Sequence, residues 1–347
     1  MTRYALLVRP SANRVYSGAS VALTQAELEV VSQSVLGGRI REVSASTIGG
    51  VPYVTFEADG IGDQDAAFIA NLSSIFALFQ LEDGLLRPVE LRPLDRFDDD
   101  LITIQKYPGK TNEQFTKLLL NVTVLSSASA AGMLDRKLAV LDPLCGRGTT
   151  LNQALTYGYD AAGVDIDQKD YEAYSTFIQT WLKRKRVKHH VEYDGPVRRD
   201  GQLAARRLQV RLAAGREDYK AGRTQRLDVV STDTARAGEF FKAGAFDVVV
   251  ADTPYGVQHG SRTAGRGLAR SPLDLLADAA PTWARLLRSG GALGIAWNTF
   301  VAPREEAAKA LAQAGLQTLD SGPYLGFRHR VDQAIVRDIL IARKPAG

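Results

Sequence analysis

The sequence holds one cysteine, Cys145, which excludes an intramolecular disulfide and a metal site built from several cysteines. Its four histidines, at 189, 190, 259 and 329, show no metal-ligand spacing. No run of eighteen apolar residues is present, so no transmembrane helix and no membrane partner are expected. Residues 1–9 contain too short an apolar run for a signal peptide and meet Arg9 at once, so the expectation is a cytoplasmic protein. With 45% hydrophobic and 24% charged residues, general disorder is excluded as well. The 347 residues suffice for one large α/β domain and a small one.

What is present is an uneven distribution of charge. Residues 1–100 carry 8 Lys/Arg against 14 Asp/Glu, whereas residues 183–226 carry 14 against 5. The stretch opening Lys183-Arg184-Lys185-Arg186 is therefore a candidate phosphate-binding surface, with a solvated insertion as the alternative.

The first hundred residues read as β-α-β-β-α-β, the order of a ferredoxin-like unit. Strands are expected at 3–9, 40–46, 51–57 and 86–94, with a hairpin around Gly49-Gly50. A helix capped by Thr24 is expected to run to about Val35, and a second follows the spacing of Phe68, Leu72, Ile75, Phe76 and Phe79. Asp98-Asp99-Asp100 marks a linker, after which Phe115, Leu118, Leu119, Val122 and Leu125 form a helical stripe. From Lys137, strand-like runs at 138–141, 162–164, 227–230, 246–251, 291–297 and 335–342 alternate with helical ones. Such alternation predicts a mostly parallel sheet covered on both faces. The division is thus 1–97, a connecting 98–136, and 137–347, with the basic insertion at 183–226 expected to carry a helix over about 202–214.

Two strand ends carry candidate chemistry. Leu138-Ala139-Val140-Leu141-Asp142-Pro143-Leu144-Cys145-Gly146-Arg147-Gly148-Thr149 is an apolar strand entering a glycine turn and a helix. Gly146 and Gly148 allow close backbone approach to a ligand, and the helix-start amides near Thr149 suit a polar group. The third glycine of the dinucleotide fingerprint is missing, and Asp142 would repel a pyrophosphate while suiting the ammonium of a methionine moiety. Asp165, ending the next strand ahead of Asp167, is placed to take ribose hydroxyls, and Asp233, after the third, to accept from an adenine amino group. The plainer alternative is that these acids cap the helices that follow.

The most informative stretch is Phe246-Asp247-Val248-Val249-Val250-Ala251-Asp252-Thr253-Pro254-Tyr255-Gly256, a buried strand running into Asp-Thr-Pro-Tyr at its carboxyl end. Together with residues 142–148, this loop resembles the motifs of amino-methyltransferases. The match is nearest to the tRNA guanine-N2 methyltransferase family, whose loop reads Asp-Pro-Pro-Tyr-Gly; N6-adenine DNA methyltransferases carry a related form. The resemblance spans roughly 107–343 and is specific only in these two motifs. It implies a Rossmann-like methyltransferase domain with a mostly parallel seven-stranded sheet, S-adenosyl-L-methionine as cofactor, and a nucleic acid, tRNA ahead of DNA, as partner. An exocyclic amine is a poor nucleophile, because its lone pair is delocalised into the ring. Asp252 and the Thr253 carbonyl would localise it, and Tyr255 would stack on the unstacked base. Thr253 departs from the family's proline; the carbonyl survives, whereas the rigidity that proline brings does not.

The segment 107–115 resembles the one that lines the methionine end in these enzymes, making Lys110 and Thr111 candidate contacts, with a surface loop as the alternative. Cys145 fits where a small buried residue is wanted and lacks a base partner for a nucleophilic role. Arg262 and Arg266, in a Gly/Arg/Ser-rich loop, and Arg328 are further candidate phosphate contacts, which would position a nucleic acid without selecting its sequence. The leading reading is methylation of a base amino group, guanine N2 in tRNA. The alternatives are a DNA N6-adenine methyltransferase, a small-molecule or protein methyltransferase, and a non-catalytic nucleic-acid-binding homologue.

Overall fold

The computed structural model describes residues 1–11, 13–253 and 272–346. In chain order the first unit comprises β1 (Thr2–Val8), α1 (Arg14–Val35), β2 (Arg41–Ile48), β3 (Val51–Ala58), α2 (Asp63–Ile69), β4 (Ile75–Glu82) and β5 (Leu85–Val89). The strands form an all-antiparallel sheet in the order β2-β3-β1-β4-β5. The first four strands follow the ferredoxin-like order, and β5 extends it. The β2–β3 hairpin turns on Gly49 and Gly50, both at positive φ, as a two-residue turn requires.

Two helical expectations are corrected here. The first helix starts at Arg14, because Asn13 caps it by accepting from the Val15 and Tyr16 amides at 3.0 and 3.2 Å. Thr24 lies inside that helix, and its hydroxyl bonds back to the Ser20 carbonyl. The helix read across Phe68 to Phe79 is broken after Ile69. Residues from Ile75 instead pair with β1, with Ile75 and Leu78 buried and Phe76 exposed.

α3 (Asp100–Thr103) and α4 (Glu113–Leu125) lead into the second unit: β6 (Ala139–Asp142), α5 (Thr149–Thr156), β7 (Asp160–Asp165), α6 (Gln168–Arg184), β8 (Lys188–Arg199), β9 (Gln202–Ala213), α7 (Arg216–Lys220), β10 (Gln225–Ser231), β11 (Phe246–Asp252), α8 (Pro272–Leu286), β12 (Leu287–Asn298), α9 (Arg304–Gln313), β13 (Gln317–Leu319), β14 (His329–Arg330) and β15 (Val336–Arg343). The sheet order is β13-β15-β12-β11-β6-β7-β10-β9-β8, with β14 also on β15. Only the central five strands, β10-β7-β6-β11-β12, run parallel. The expected mostly parallel seven-stranded sheet is thus, among the described residues, a mixed ten-stranded one. β15 returns antiparallel beside β12, and a hairpin widens the opposite edge.

That hairpin replaces the helix expected over 202–214. β8 and β9 turn on Asp200-Gly201, with φ of 48° and 77°, and Arg199 pairs with Gln202 across the two-residue loop. Leu208, Val210 and Leu212 alternate inward, which is the period of a strand.

α4 joins the two units. Its residues from Phe115 to Leu125 are nearly all buried, the polar Thr116, Asn121 and Thr123 among them. One hydrophobic core runs from Tyr4, Leu28 and Phe56 through Leu118 and Leu119 to Val140 and Val250. At the seam, the fully buried Glu27 accepts from the Ser73 amide (2.9 Å), the Ser73 hydroxyl (2.6 Å) and the Asn121 side-chain amide (2.7 Å). Tyr157 in turn donates to the Asn121 side-chain oxygen. Burial raises the Glu27 pKa despite these donors. Glu27→Ala would leave the buried Ser73 amide and hydroxyl unpaired and take from Asn121 one of its two acceptors, and urea unfolding is expected to show a loss of about 3 kcal/mol. Glu27→Gln, which keeps one acceptor oxygen, is expected to lose about half as much. An unchanged unfolding midpoint in Glu27→Ala would contradict this role for the seam.

Candidate functional site

In a parallel sheet all carboxyl ends lie on one edge, and β6, β7 and β11 end there at Asp142, Asp165 and Asp252. The backbone between them is tightly specified. The Cys145 amide donates to the Val164 carbonyl (2.9 Å), and the Gly146 amide donates to Asp165 Oδ2 (2.7 Å). The loop that follows β6 is thereby tied to the end of β7. Gly146 has φ of 49° with open space where a side chain would project. Gly148 has φ of 79°, and a Cβ there would run into the Tyr174 ring. Both glycines are needed for conformation, the second also for space.

The other oxygen of Asp165 accepts from the Asp167 amide (2.8 Å), while Asp167 caps α6 through the Lys169 amide (2.7 Å). Asp142 is buried and accepts from the Leu144 amide (3.0 Å). Burial is the main reason that its pKa is pushed up to about 7, with the charges of Asp252 and Asp165 adding to it. Burial likewise pushes Asp165 up to about 6, against the two amide hydrogen bonds. Carboxylates crowded into a shielded edge favour a cationic ligand that relieves their repulsion.

Asp252 is reached from the opposite side. Asn112 caps α4, and the loop before it puts the Thr111 hydroxyl on Asp252 Oδ2 in a short hydrogen bond. Thr253, at the position where proline was expected, is buried and anchored twice. Its amide (2.9 Å) and its hydroxyl (2.8 Å) both donate to the Ala296 carbonyl of β12. Proline could make neither bond, so hydrogen bonding here does what a fixed φ would otherwise do.

Several expected contacts are placed elsewhere. Lys110 is held by the Ile102 carbonyl (2.7 Å) and by Glu113 (2.5 Å), away from the three acids. Asp233 caps the turn after it through the Ala235 amide (2.9 Å), the plainer of its two expected roles. The Cys145 thiol is buried beside Gly163, and burial raises its pKa well above the usual range, which leaves it inert. Thr149 opens α5, with its hydroxyl 3.3 Å from the Tyr107 hydroxyl. Pro254, Tyr255, His259, Arg262 and Arg266 lie outside the described residues.

The basic insertion is less available than its sum suggests. α6 starts at the acid-bearing edge and, at about 1.5 Å per residue, carries Lys183 and Arg184 some 25 Å away to the opposite edge. Lys185 is paired there with Asp98 (2.7 Å) and Asp100 (2.6 Å), and exposed Arg186 turns the chain into β8. Arg206, Arg207 and Arg211 are paired with Glu172, Asp228 and Glu192. Because β8 runs parallel to β10, it is the hairpin tip, with Arg198 and Arg199, that returns to the acid-bearing edge. Arg199 is paired with Glu239. Arg328 is exposed just before β14.

Three contributors escaped the sequence reading: Thr111 as the partner of Asp252, exposed Ile166 beside Asp165, and His329, which is buried against Phe115 and Tyr16. An apolar residue straight after a strand-end acid was a usable signal for Ile166. The other two depend on tertiary packing. Among the described residues no cluster of His, Cys, Asp and Glu could hold a metal, and no helix is long and apolar enough to cross a membrane.

Residues 124–292, 169 of the 347, match the family model described as RMKL-like, methyltransferase domain. No curated protein matches the chain in sequence. Among solved structures the chain is similar to TrmN from Thermus thermophilus, at 13% identity and a TM-score of 0.44, over 99% of this chain and 100% of that one. It is also similar to the 1,6-didemethyltoxoflavin-N1-methyltransferase of Burkholderia thailandensis, at 18% identity and 0.35, over 63% and 76% of the two chains. A TehB-like SAM-dependent methyltransferase from Corynebacterium glutamicum gives 14% and 0.33, over 62% and 84%. At such scores none of the three fixes this chain's activity. Asp142, Asp165 and Asp252 all lie within the stretch that matches this methyltransferase-domain model.

Proposed function

We propose that the protein methylates an exocyclic amino nitrogen of a nucleic-acid base, guanine N2 in tRNA. The observation that carries this reading is Asp252. It is a carboxylate at the end of a central parallel strand, oriented by Thr111, on the same edge as the cofactor acids.

S-adenosylmethionine supplies an activated methyl group on a cationic sulfonium. In the proposed arrangement Asp142 holds its ammonium and Asp165 the ribose hydroxyls, while Ile166 offers an apolar face to the adenine. Asp233 keeps one oxygen for the adenine amine beyond the one that caps its turn. Gly146, with open space before it, lets the backbone approach. The substrate amine would donate its two hydrogens to Asp252 and to the Thr253 carbonyl, which turns the nitrogen lone pair out of conjugation. Asp252 would accept the proton that the amine loses on methylation. Thr111 and the Ala296 anchor hold both acceptors still, so much of the rate would come from positioning. Arg198 at the hairpin tip, with Arg328 and the arginines of the 256–270 loop, would meet phosphates. The 1–97 unit, joined to 137–347 through the connecting 98–136 segment, would present α1 to the same substrate.

On unmethylated tRNA with saturating cofactor, Asp252→Ala is expected to lower kcat by about a thousandfold. Its cofactor Kd should stay within about threefold of wild type. A variant that methylates at the wild-type rate would remove Asp252 from the chemistry and this reading with it.

The raised pKa values give two opposite pH dependences. With Asp142 near 7 and Asp165 near 6, the empty fold holds more protons than the unfolded chain between pH about 4 and 7. Its stability therefore falls as pH rises through that window. Binding a cation needs the ionised acids, so cofactor affinity runs the other way. Calorimetric titration is expected to show Kd rising by about tenfold or more as pH falls from 8 to 5. An affinity that stayed flat over that range would contradict the role given to the two acids.

A further inference from the structure

Leu208, Val210 and Leu212 of β9, with Leu227 and Val229 of β10, turn into the core that α6 shares. Strand alternation therefore points Arg211 and Arg226 out of the opposite face. The register sets His190 of β8, Arg211 of β9 and Arg226 of β10 in one row, and opposite residues of antiparallel strands project to the same side. Lys188 stands two residues before His190 on that face. All four residues are exposed.

Nearer the acid-bearing edge the charge of this face is answered, since Arg207 is held by Asp228 (2.6 Å) and lies over the Phe241 ring. In the row itself Arg211 pairs with Glu192 (3.1 Å), whereas among the described residues no acid pairs with Lys188, His190 or Arg226. Like charges directly opposite one another destabilise a sheet, and Arg211 and Arg226 stand on neighbouring strands about 5 Å apart. An anion laid across the strands relieves that repulsion. Tyr193, on the same face and 39% exposed, sets a ring beside Gly195. A base can stack on such a ring, which favours a nucleic acid over a lipid surface.

Arg226 lies five residues before Ser231, which pairs with Asp165 at the acid-bearing edge, and β10 is three strands from β11. At about 3.3 Å per residue and 4.8 Å per strand, the row is about 20 Å from Asp252. A free nucleotide cannot reach both places. A duplex arm, rising about 3.4 Å per base pair, covers that distance in about six pairs. We propose that Lys188, His190, Arg211 and Arg226 form a second nucleic-acid site that grips the phosphate backbone at this distance from the target base, an inference that rests on the nucleic-acid reading above. The site holds a long substrate and leaves the chemistry at Asp252 untouched.

The test is filter binding of the full chain to labelled unmethylated tRNA at salt concentrations from about 50 to about 200 mM. Wild type is compared with a Lys188→Ala, Arg226→Ala double variant and with a charge-keeping Lys188→Arg, Arg226→Lys double variant. The alanine variant should bind tRNA about tenfold more weakly and lower the slope of log affinity against log salt by about 1.5. Its cofactor Kd should stay within about twofold of wild type. The charge-keeping variant should match wild type within about twofold, which separates a charge contact from a loss of folding. Phosphatidylserine vesicles should bind wild type and the alanine variant alike. An unchanged salt slope in the alanine variant overturns the inference and leaves the nucleic-acid reading standing. So does an equal loss of affinity in the charge-keeping variant, or a loss confined to the vesicles. A wild type that binds neither tRNA nor DNA overturns both.

Discussion

The hydrogen bond from the Gly146 amide to the Asp165 carboxylate sets the geometry on which the rest of the cleft depends. It spans two neighbouring parallel strands at the edge where both end, and the Cys145 amide on the Val164 carbonyl reinforces it. Without this tie the loop after β6 would be free to swing, and Gly148 would lose its register against the Tyr174 ring. The tie holds an acid out of water, and the raised pKa of Asp165 records that opposition. Asp142 is held under greater strain of the same kind. A site with this stored repulsion is pre-organised for a cation, and a sulfonium cofactor with a free ammonium brings two positive centres.

The N-terminal sheet takes part in the same construction. Its helix α1 shares the Glu27 network with Asn121 of α4, and α4 packs under β11 and β12. The loop that starts α4 also carries Thr111, so the carboxylate of Asp252 is oriented from a segment that the N-terminal unit supports. At its start α1 lends Asn13 and Tyr16 to a cavity that Thr111 also lines. The unit is thus placed to influence what enters the site, even though its own net charge is negative.

The central sheet was legible in the sequence because its strands carry apolar runs, and three of them, β6, β7 and β11, end in an acid at the functional edge. The periphery misled for local reasons. Leu203, Leu208 and Leu212 admit a helical reading, yet the Asp200-Gly201 turn and the alternation of Leu208, Val210 and Leu212 were there to overrule it. Phe68 to Phe79 mimics a helical stripe only because a short helix and a strand follow one another across five intervening residues with no regular structure before Ile75. Asn13 was overlooked as a cap because the apolar stripe is weakest in the first turns of α1. For the site, Asp142, Asp165 and Asp252 could be named because strand ends are visible as sequence. The charge run at 183–186 could be counted but not located, since only the course of α6 reveals that it sits on the far edge. His329 looked isolated because its partners, Phe115, Phe327 and Tyr16, come from three distant parts of the chain.

The proposed reaction is methyl transfer from S-adenosylmethionine to a base amino group in RNA. Its most direct test is incubation of the protein with methyl-labelled cofactor and, separately, total tRNA, rRNA, unmethylated DNA and a small-molecule extract, followed by analysis of the labelled product. Label is expected in tRNA, recovered as N2-methylguanosine. Label confined to DNA would contradict the RNA substrate, and label confined to small molecules would contradict nucleic acid as the substrate altogether.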